Sequence, residues 1–336
     1  MIIKNKVVYV YDIEVFINVL HIVVKNTETG EIIRLEISER KNQLNEICTL
    51  FHLQDRNPEV AMFLQNDKIF CGYNNKHYDD VIINYLIDFQ HILQTKTWFE
   101  ITKSVFHLSQ CIVEEDNLER WKRWKYLNCF YSIDLLTMRF SSKLRVGLKE
   151  MQVTMEYPNV EEYDGDFTKP LPLADFDNMI AYNENDVNST EELLNRSKEL
   201  IDLRLGIEQE YGVDVLSKDG MTIGMEILKV KYLEATGKTW DQIKDLRSPC
   251  EYIDLNEVIL PFVHFEHPVL NDMLQELKQQ VVSPGRKGYE KHFLLDDMEI
   301  SVGVGGIHSK NEPEIIIPDD DEVCLDSDVA LIQWRN

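Results

Sequence analysis

The stretch Lys6-Val7-Val8-Tyr9-Val10-Tyr11-Asp12-Ile13-Glu14-Val15 is a β-branched and aromatic run that leads into two acids. Such side chains fit a pleated, half-buried surface, so residues 6–11 read as a strand. Positions i and i+2 of a strand point to one face, which aims Asp12 and Glu14 together beside a hydrophobic run. Alone, the pair is either a solvated strand face or part of a paired-carboxylate site.

Outward from this strand, residues 17–24 and 31–37 read as further strands, separated by the turn-like Asn26-Thr27-Glu28-Thr29-Gly30. Short connections predict an antiparallel meander. Residues 43–53 carry Leu44, Ile47, Leu50 and Phe51 at helical spacing. An apolar run at 69–73 meets a helix over about 78–89. Another helical stretch follows Tyr131-Ser132-Ile133-Asp134, and residues 175–200 read as two helical pieces meeting near Asn185. Strands alternating with helices after a meander predict an α/β fold, a mixed sheet flanked by helices. Residues 221–233 and 272–280 read as helices and 283–288 as a loop. The texture changes near 205–220, which divides the chain into an α/β domain over 1–210 and a smaller α+β region over 211–336.

The 336 residues suffice for two domains, and 44% hydrophobic with 28% charged residues is ordinary for a soluble globular protein, which excludes global disorder. No apolar stretch approaches the roughly 20 residues that span a bilayer, so no membrane partner is expected. Met1-Ile2-Ile3-Lys4 runs straight into the first strand rather than into a signal-peptide cleavage site. Cys48, Cys71, Cys111, Cys129, Cys250 and Cys324 lack zinc spacing and any disulfide framework, which fits reduced thiols inside a cell. The net charge of −24 argues against non-specific duplex binding. It argues less against an enzyme that grips a few nucleotides and whose site is itself a carboxylate cluster.

Two further acidic sites stand downstream. In Gly72-Tyr73-Asn74-Asn75-Lys76-His77-Tyr78-Asp79-Asp80 a strand delivers Asn74 and then, at a helix start, Tyr78 and Asp79. Asp80 is read as favouring the helix dipole. In Tyr182-Asn183-Glu184-Asn185-Asp186 the spacing i, i+4 puts Tyr182 and Asp186 on one helix face. Four acids meeting at one sheet edge would repel and take up protons unless divalent cations joined them, and hard Mg²⁺ prefers carboxylate oxygens. Two such ions can activate a water and stabilise a leaving oxygen in phosphodiester cleavage. Tyr182, with a phenol pKa near 10, would orient that water rather than deprotonate it.

D-x-E at a first strand, then N-x-x-x-[FY]-D, then Y-x-x-x-D resembles the signature of DEDD exonucleases of the tyrosine subclass. The pattern looks most like the 3′→5′ proofreading portion of phage-type family B DNA polymerases. The resemblance covers about residues 6–190 and implies an RNase H-like fold. It implies that Asp12, Glu14, Asp79 and Asp186 bind two Mg²⁺ or Mn²⁺ ions, that Tyr182 assists the water, and that Asn74 and Tyr78 support the DNA end. Tyr131-Ser132-Ile133-Asp134 and Gly147-Leu148-Lys149-Glu150-Met151 also resemble this family. Asp134 is read as a helix N-cap, and Lys149 as a phosphate contact or a solvated helix lysine.

Gly303-Val304-Gly305-Gly306-Ile307-His308-Ser309 is either a turn between strands or, by resemblance, the glycine motif that links exonuclease and polymerase portions. Asp328, in Leu325-Asp326-Ser327-Asp328-Val329-Ala330, resembles the metal-binding aspartate of the first palm motif. The S-L-Y-P expected after it is missing, so the polymerase portion is expected to be truncated and polymerisation by this chain alone is not expected. The resemblance places the protein in the cytoplasm of a bacterial or phage-infected cell, with a separate polypeptide that carries the other polymerase motifs as a partner.

Arg120-Trp121-Lys122-Arg123-Trp124-Lys125 interleaves cations with aromatics. It is either a nucleic-acid surface, with Arg120, Lys122 and Arg123 on phosphates and the indoles on bases, or a helix pinned to the core by its tryptophans. The expected substrate is a single-stranded or frayed DNA 3′ end. The competing expectation is a non-catalytic remnant that binds single strands, or a structural subunit of a split polymerase.

Overall fold

The computed structural model describes residues 1–52, 68–114, 118–140, 146–244, 246, 251–283, 290–295, 298–303 and 306–310. They form two compact units, Met1–Lys238 and Thr239–Asn336. The first is built on a mixed six-stranded sheet flanked by helices. Its strands are β1 (Ile2–Ile3), β2 (Lys6–Phe16), β3 (Val19–Asn26), β4 (Ile32–Ile37), β5 (Lys68–Gly72) and β6 (Ser132–Asp134), in the order β4-β3-β2-β5-β6 with β1 paired to β2. The pairs β1–β2, β2–β3 and β3–β4 are antiparallel, whereas β2–β5 and β5–β6 are parallel. The expected meander is present, and the parallel half is added to its first long strand.

Alternation along β2 sets the layers. Tyr11, Ile13 and Val15 join one apolar cluster with residues of α1 (Leu44–Phe51), α2 (Asp79–Asp88) and α4 (Trp98–Val113); α3 (Gln90–Leu93) follows α2. Val8 and Val10, on the opposite face, join a second cluster with α6 (Leu135–Arg139), α7 (Leu148–Thr154), α8 (Phe176–Asn195) and α9 (Lys198–Tyr211). Between α4 and β6 lies α5 (Leu118–Lys125). The second face of β2 continues from Val8 and Val10 to Asp12, Glu14 and Phe16, so the strand's own period carries two acids from apolar packing to the sheet edge.

One expectation changes. Residues 176–195 form one unbroken helix, and the interruption falls at 196–197 rather than near Asn185. The Asn185 amide donates to the Asn159 carbonyl (2.9 Å) and accepts from the Asn159 amide (3.2 Å), so it bonds an outside loop instead of competing for the helix backbone. The two compact units divide at 238/239, with α9 and α10 (Gly220–Thr236) in the first. Buried Arg204 donates to the carbonyls of Met138 (2.6 Å) and Lys218 (3.0 Å), and Tyr131 donates to Asp214 (2.6 Å), which fastens the segment after α9 to the sheet.

The second unit contains α13 (Pro268–Lys278), preceded by the short α11 (Trp240–Ile243) and α12 (Leu255–Val258), the short pair β7 (Ile253–Asp254) and β8 (Val281–Val282), and the meander β9 (Glu290–Leu295), β10 (Met298–Gly303) and β11 (Gly306–Ser309). Gly303 pairs with Gly306 in the antiparallel β10–β11 ladder, and residues 304–305 between them lie outside the described residues. Most of the loop at 283–288, and Asp328, lie outside the described residues. Among the described residues, no helix is long and apolar enough to cross a membrane, and Cys48, Cys71, Cys111 and Cys129 are free thiols.

Candidate active site

The length mismatch between neighbouring strands creates the site. Strand β2 pairs with β5 only over Val7–Val10 opposite Lys68–Cys71, and then runs on to Phe16. Asp12 and Glu14 therefore project past the carboxyl end of β5, where open α/β sheets bind ligands. Across the sheet face, α8 presents Asp186 and, one turn earlier, Tyr182. Single carboxylate oxygens of Asp12, Glu14 and Asp186 all lie within 4.8 Å of one another. Three of the four acids expected to meet at a sheet edge are thus brought together.

Asp79 is the first residue of α2 and is 5% exposed. It borders this trio without belonging to it, close enough that Asp12 and Glu14 act on its charge. Burial, followed by repulsion from Asp12, holds its carboxyl well above the usual range. Burial pushes Asp12 up to about 8, with Asp186 adding to the rise and Lys149 opposing it. Burial and then repulsion from Asp12 and Asp186 raise Glu14 strongly, and Asp186 is raised by burial against the pull of Lys149. Buried like charges thus face one another across a small space.

Lys149, the second residue of α7, is part-buried and engaged within the cluster. Its ammonium pairs with Asp186 and lies 4.4 Å from the centre of the Tyr182 ring. The Gln152 amide, one helical turn on, donates to Asp186 (3.0 Å) and to Ser189 (2.7 Å), a contact that sequence reasoning did not identify. Its signal was the i, i+3 spacing from Lys149. Burial, then Asp186, Glu14 and Asp12, raises the Tyr182 phenol above the expected value near 10. The hydroxyl stays protonated and can donate a hydrogen bond.

Asn74 adopts φ 59°, a left-handed conformation that asparagine tolerates, and its backbone N–H donates to Asp134 (2.9 Å). Asp134 also accepts from the Leu136 N–H (3.0 Å), which makes it the N-cap of α6. Burial and then Asp80 push its carboxyl up to about 6. Asp80 does more than favour a helix dipole: it accepts from the Tyr11 hydroxyl, the Asn75 amide (2.9 Å) and Ser132 Oγ (2.5 Å). The Tyr78 hydroxyl is engaged with Ser109 Oγ at 2.6 Å rather than presented to a ligand.

The basic-aromatic segment resolves in favour of core packing for its tryptophans. Trp121 is completely buried, so it cannot stack a base. Trp124 packs edge-on against Tyr85 (5.0 Å) and Phe89 (5.7 Å), and its Nε1 donates to Asp88 (3.2 Å). Arg123 is exposed but its guanidinium pairs with the same carboxylate (2.7 Å). Lys122 is exposed, and the Arg120 side chain lies outside the described ones. Searches against protein-family models, curated proteins and solved structures find no match for this chain.

Proposed function

We propose that this chain is a 3′→5′ exonuclease that hydrolyses DNA 3′ ends with the help of two divalent metal ions. The observation that carries the reading is the convergence of the Asp12, Glu14 and Asp186 carboxylates beside Tyr182, at the carboxyl edge of the parallel strands. The bare cluster fits a cation: burial and mutual repulsion push these acids toward protonation, a penalty that a hard cation with oxygen ligands removes. Asp12, Glu14 and Asp186, with Asp79 at the border, would hold Mg²⁺ or Mn²⁺. Bound ions of this kind activate a water and stabilise the charge on the leaving oxygen.

The chain's own groups do the rest. The Tyr182 hydroxyl donates a hydrogen bond that orients the attacking water. Lys149 balances Asp186 and, through its place over the Tyr182 ring, limits the movement of the phenol. The sheet, a three-strand meander continued by two parallel strands, supports an RNase H-like fold. With the order of the acidic motifs it supports a proofreading exonuclease of the phage-type family B polymerase kind. An unpaired 3′ end is the substrate class, because it reaches recessed carboxylates without melting a duplex.

The test is a time course on 3′-labelled single-stranded DNA with Mn²⁺, Mg²⁺ or chelator. Mononucleotides should appear with either metal, stop with chelator, and fall at least about a thousandfold in Asp12→Ala/Glu14→Ala, since metal assistance contributes several kcal/mol to the barrier. A double variant that digests as fast as the parent refutes the site.

A further inference from the structure

We propose that Tyr11 and Asp80 are positioning residues for the metal site, an inference that rests on the exonuclease reading. Their hydrogen bond is a strut behind the carboxylates that fixes how far Asp79 stands from Asp12. Tyr11 precedes Asp12 on β2, and Asp80 follows Asp79 on α2. Neighbouring residues of a strand point to opposite faces, so Tyr11 lies on the far side of the sheet from Asp12. There its hydroxyl donates to the Asp80 carboxylate. The bond thus joins the two elements that carry the acids from the face opposite the site.

Both ends of the strut are held. Tyr11 is 1% exposed, and the rings of Phe51 (5.2 Å), Phe70 (5.8 Å) and Phe130 (6.4 Å) meet it edge-on. This packing fixes the ring and so sets the direction of its hydroxyl. Asp80, also buried, accepts from Tyr11 and the Asn75 amide (2.9 Å) on one oxygen and from Ser132 Oγ (2.5 Å) on the other. Its three donors come from β2, from the turn before α2 and from β6. The Asn75 carbonyl in turn accepts from the Asp80 N–H (2.8 Å). Gly72 lets this turn close, because a Cβ there would lie 2.8 Å from Cβ of Asn75. Such anchoring replaces the usual cap, since Tyr78 gives the start of α2 no side-chain hydrogen bond.

Positioning explains this network better than stability alone does. A buried carboxylate with three donors is a weak source of stability relative to apolar packing, but it is directional. An apolar residue in place of Asp80 would also spare Asp79 a charge, for Asp12, Asp80 and Glu14 all repel its carboxylate. The distance that needs setting is that of Asp79. Asp12, Glu14 and Asp186 already lie within 4.8 Å of one another, whereas Asp79 borders them. A pair of ions about 4 Å apart needs ligands on both sides. Without the strut, repulsion moves the start of α2 outward and one of the two ions loses a ligand.

Titration of the full chain with Mn²⁺, read by the paramagnetic resonance of the free ion, compares the parent with Tyr11→Phe and Asp80→Asn. Tyr11→Phe keeps the ring and deletes only the hydroxyl, so it decides alone if Asp80→Asn does not fold. The parent should bind two ions per chain. Each variant should bind one ion within about threefold of the parental affinity and the other roughly ten- to a hundredfold more weakly, the effect of losing a hydrogen bond to a charged group. The Mn²⁺ concentration for half-maximal hydrolysis should rise by the same factor, while KM for DNA and kcat at saturating Mn²⁺ stay within about threefold. A lower Tm with both ion affinities unchanged marks a merely structural bond and overturns the strut, as does an equal loss of both ions. Two ions in the parent and a weakened one in Tyr11→Phe, without hydrolysis, keep the strut and remove the exonuclease reading. Hydrolysis with both affinities unchanged removes the strut alone, and a parent that binds fewer than two ions overturns both.

Discussion

Replacing Asp12 by Asn should stabilise the metal-free protein at pH 8 and remove its response to Mn²⁺. In the parent, burial and then Asp186 move the Asp12 carboxyl from 3.8 to about 8. A carboxyl whose folded pKa is raised contributes stability that is fully present below its unfolded pKa, near 4, and is lost as pH rises through about 8. The full shift corresponds to roughly 5–6 kcal/mol at about 1.36 kcal/mol per unit. Asp12 is part-exposed and shares the repulsion with Glu14 and Asp186, so relief at this one position is on the order of 2 kcal/mol. For a unit of this size that is roughly 4–8 °C in Tm. Thermal unfolding at pH 5 and pH 8, with EDTA or with Mn²⁺, reads the effect. Parent and variant should coincide at pH 5 more nearly than at pH 8, and saturating Mn²⁺ should raise only the parent, by roughly 2–3 kcal/mol at a hundred times Kd. A metal-free Asp12→Asn protein no more stable than the parent at pH 8, with both raised equally by Mn²⁺, would refute the convergence of charges.

Three further outcomes follow from named contacts. Tyr182→Phe should lower kcat about ten- to a hundredfold while leaving the Mn²⁺ stabilisation intact, because it removes only the donor that orients the water; matched kinetics and melting curves decide it. Trp121→Ala should destabilise by roughly 3–5 kcal/mol, since a fully buried indole is lost, yet KM for DNA measured well below Tm should not move. Glu36 is buried, which alone would raise its pKa, but His21, Arg40 and Ser38 outweigh this and hold the carboxyl well below the usual range. Its stability contribution is present above about pH 4.5 and lost progressively as pH falls toward the depressed folded pKa, so Glu36→Gln should lower stability at neutral pH by roughly 3–5 kcal/mol and by a shrinking amount as pH is taken below about 4.5.

The elements nearest the site were legible because their signals are local. A period of two in β2 fixed which face Asp12 and Glu14 share, and a spacing of four put Tyr182 above Asp186. What joins those pieces is not local. The stop of β5 at Gly72, which exposes Asp12 and Glu14, is a fact of register between strands more than fifty residues apart. The Lys149–Asp186 pair spans 37 positions and turned an apparent surface lysine into the counter-ion of the cluster. Composition misled at α5, where Trp121 and Trp124 look alike among cations but serve packing, as only tertiary burial reveals. The hold on the segment after α9 left no signal in the sequence, because Arg204 and Asp214 are polar and give no hydrophobic periodicity to follow.

The most direct measurement of the central claim is anomalous diffraction from crystals of the full chain grown with Mn²⁺. The account predicts two anomalous peaks about 4 Å apart, ligated by Asp12, Glu14 and Asp186 with Asp79 alongside, and within reach of the Tyr182 hydroxyl. Peaks elsewhere, or none at this edge of the sheet in the presence of saturating Mn²⁺, would contradict it.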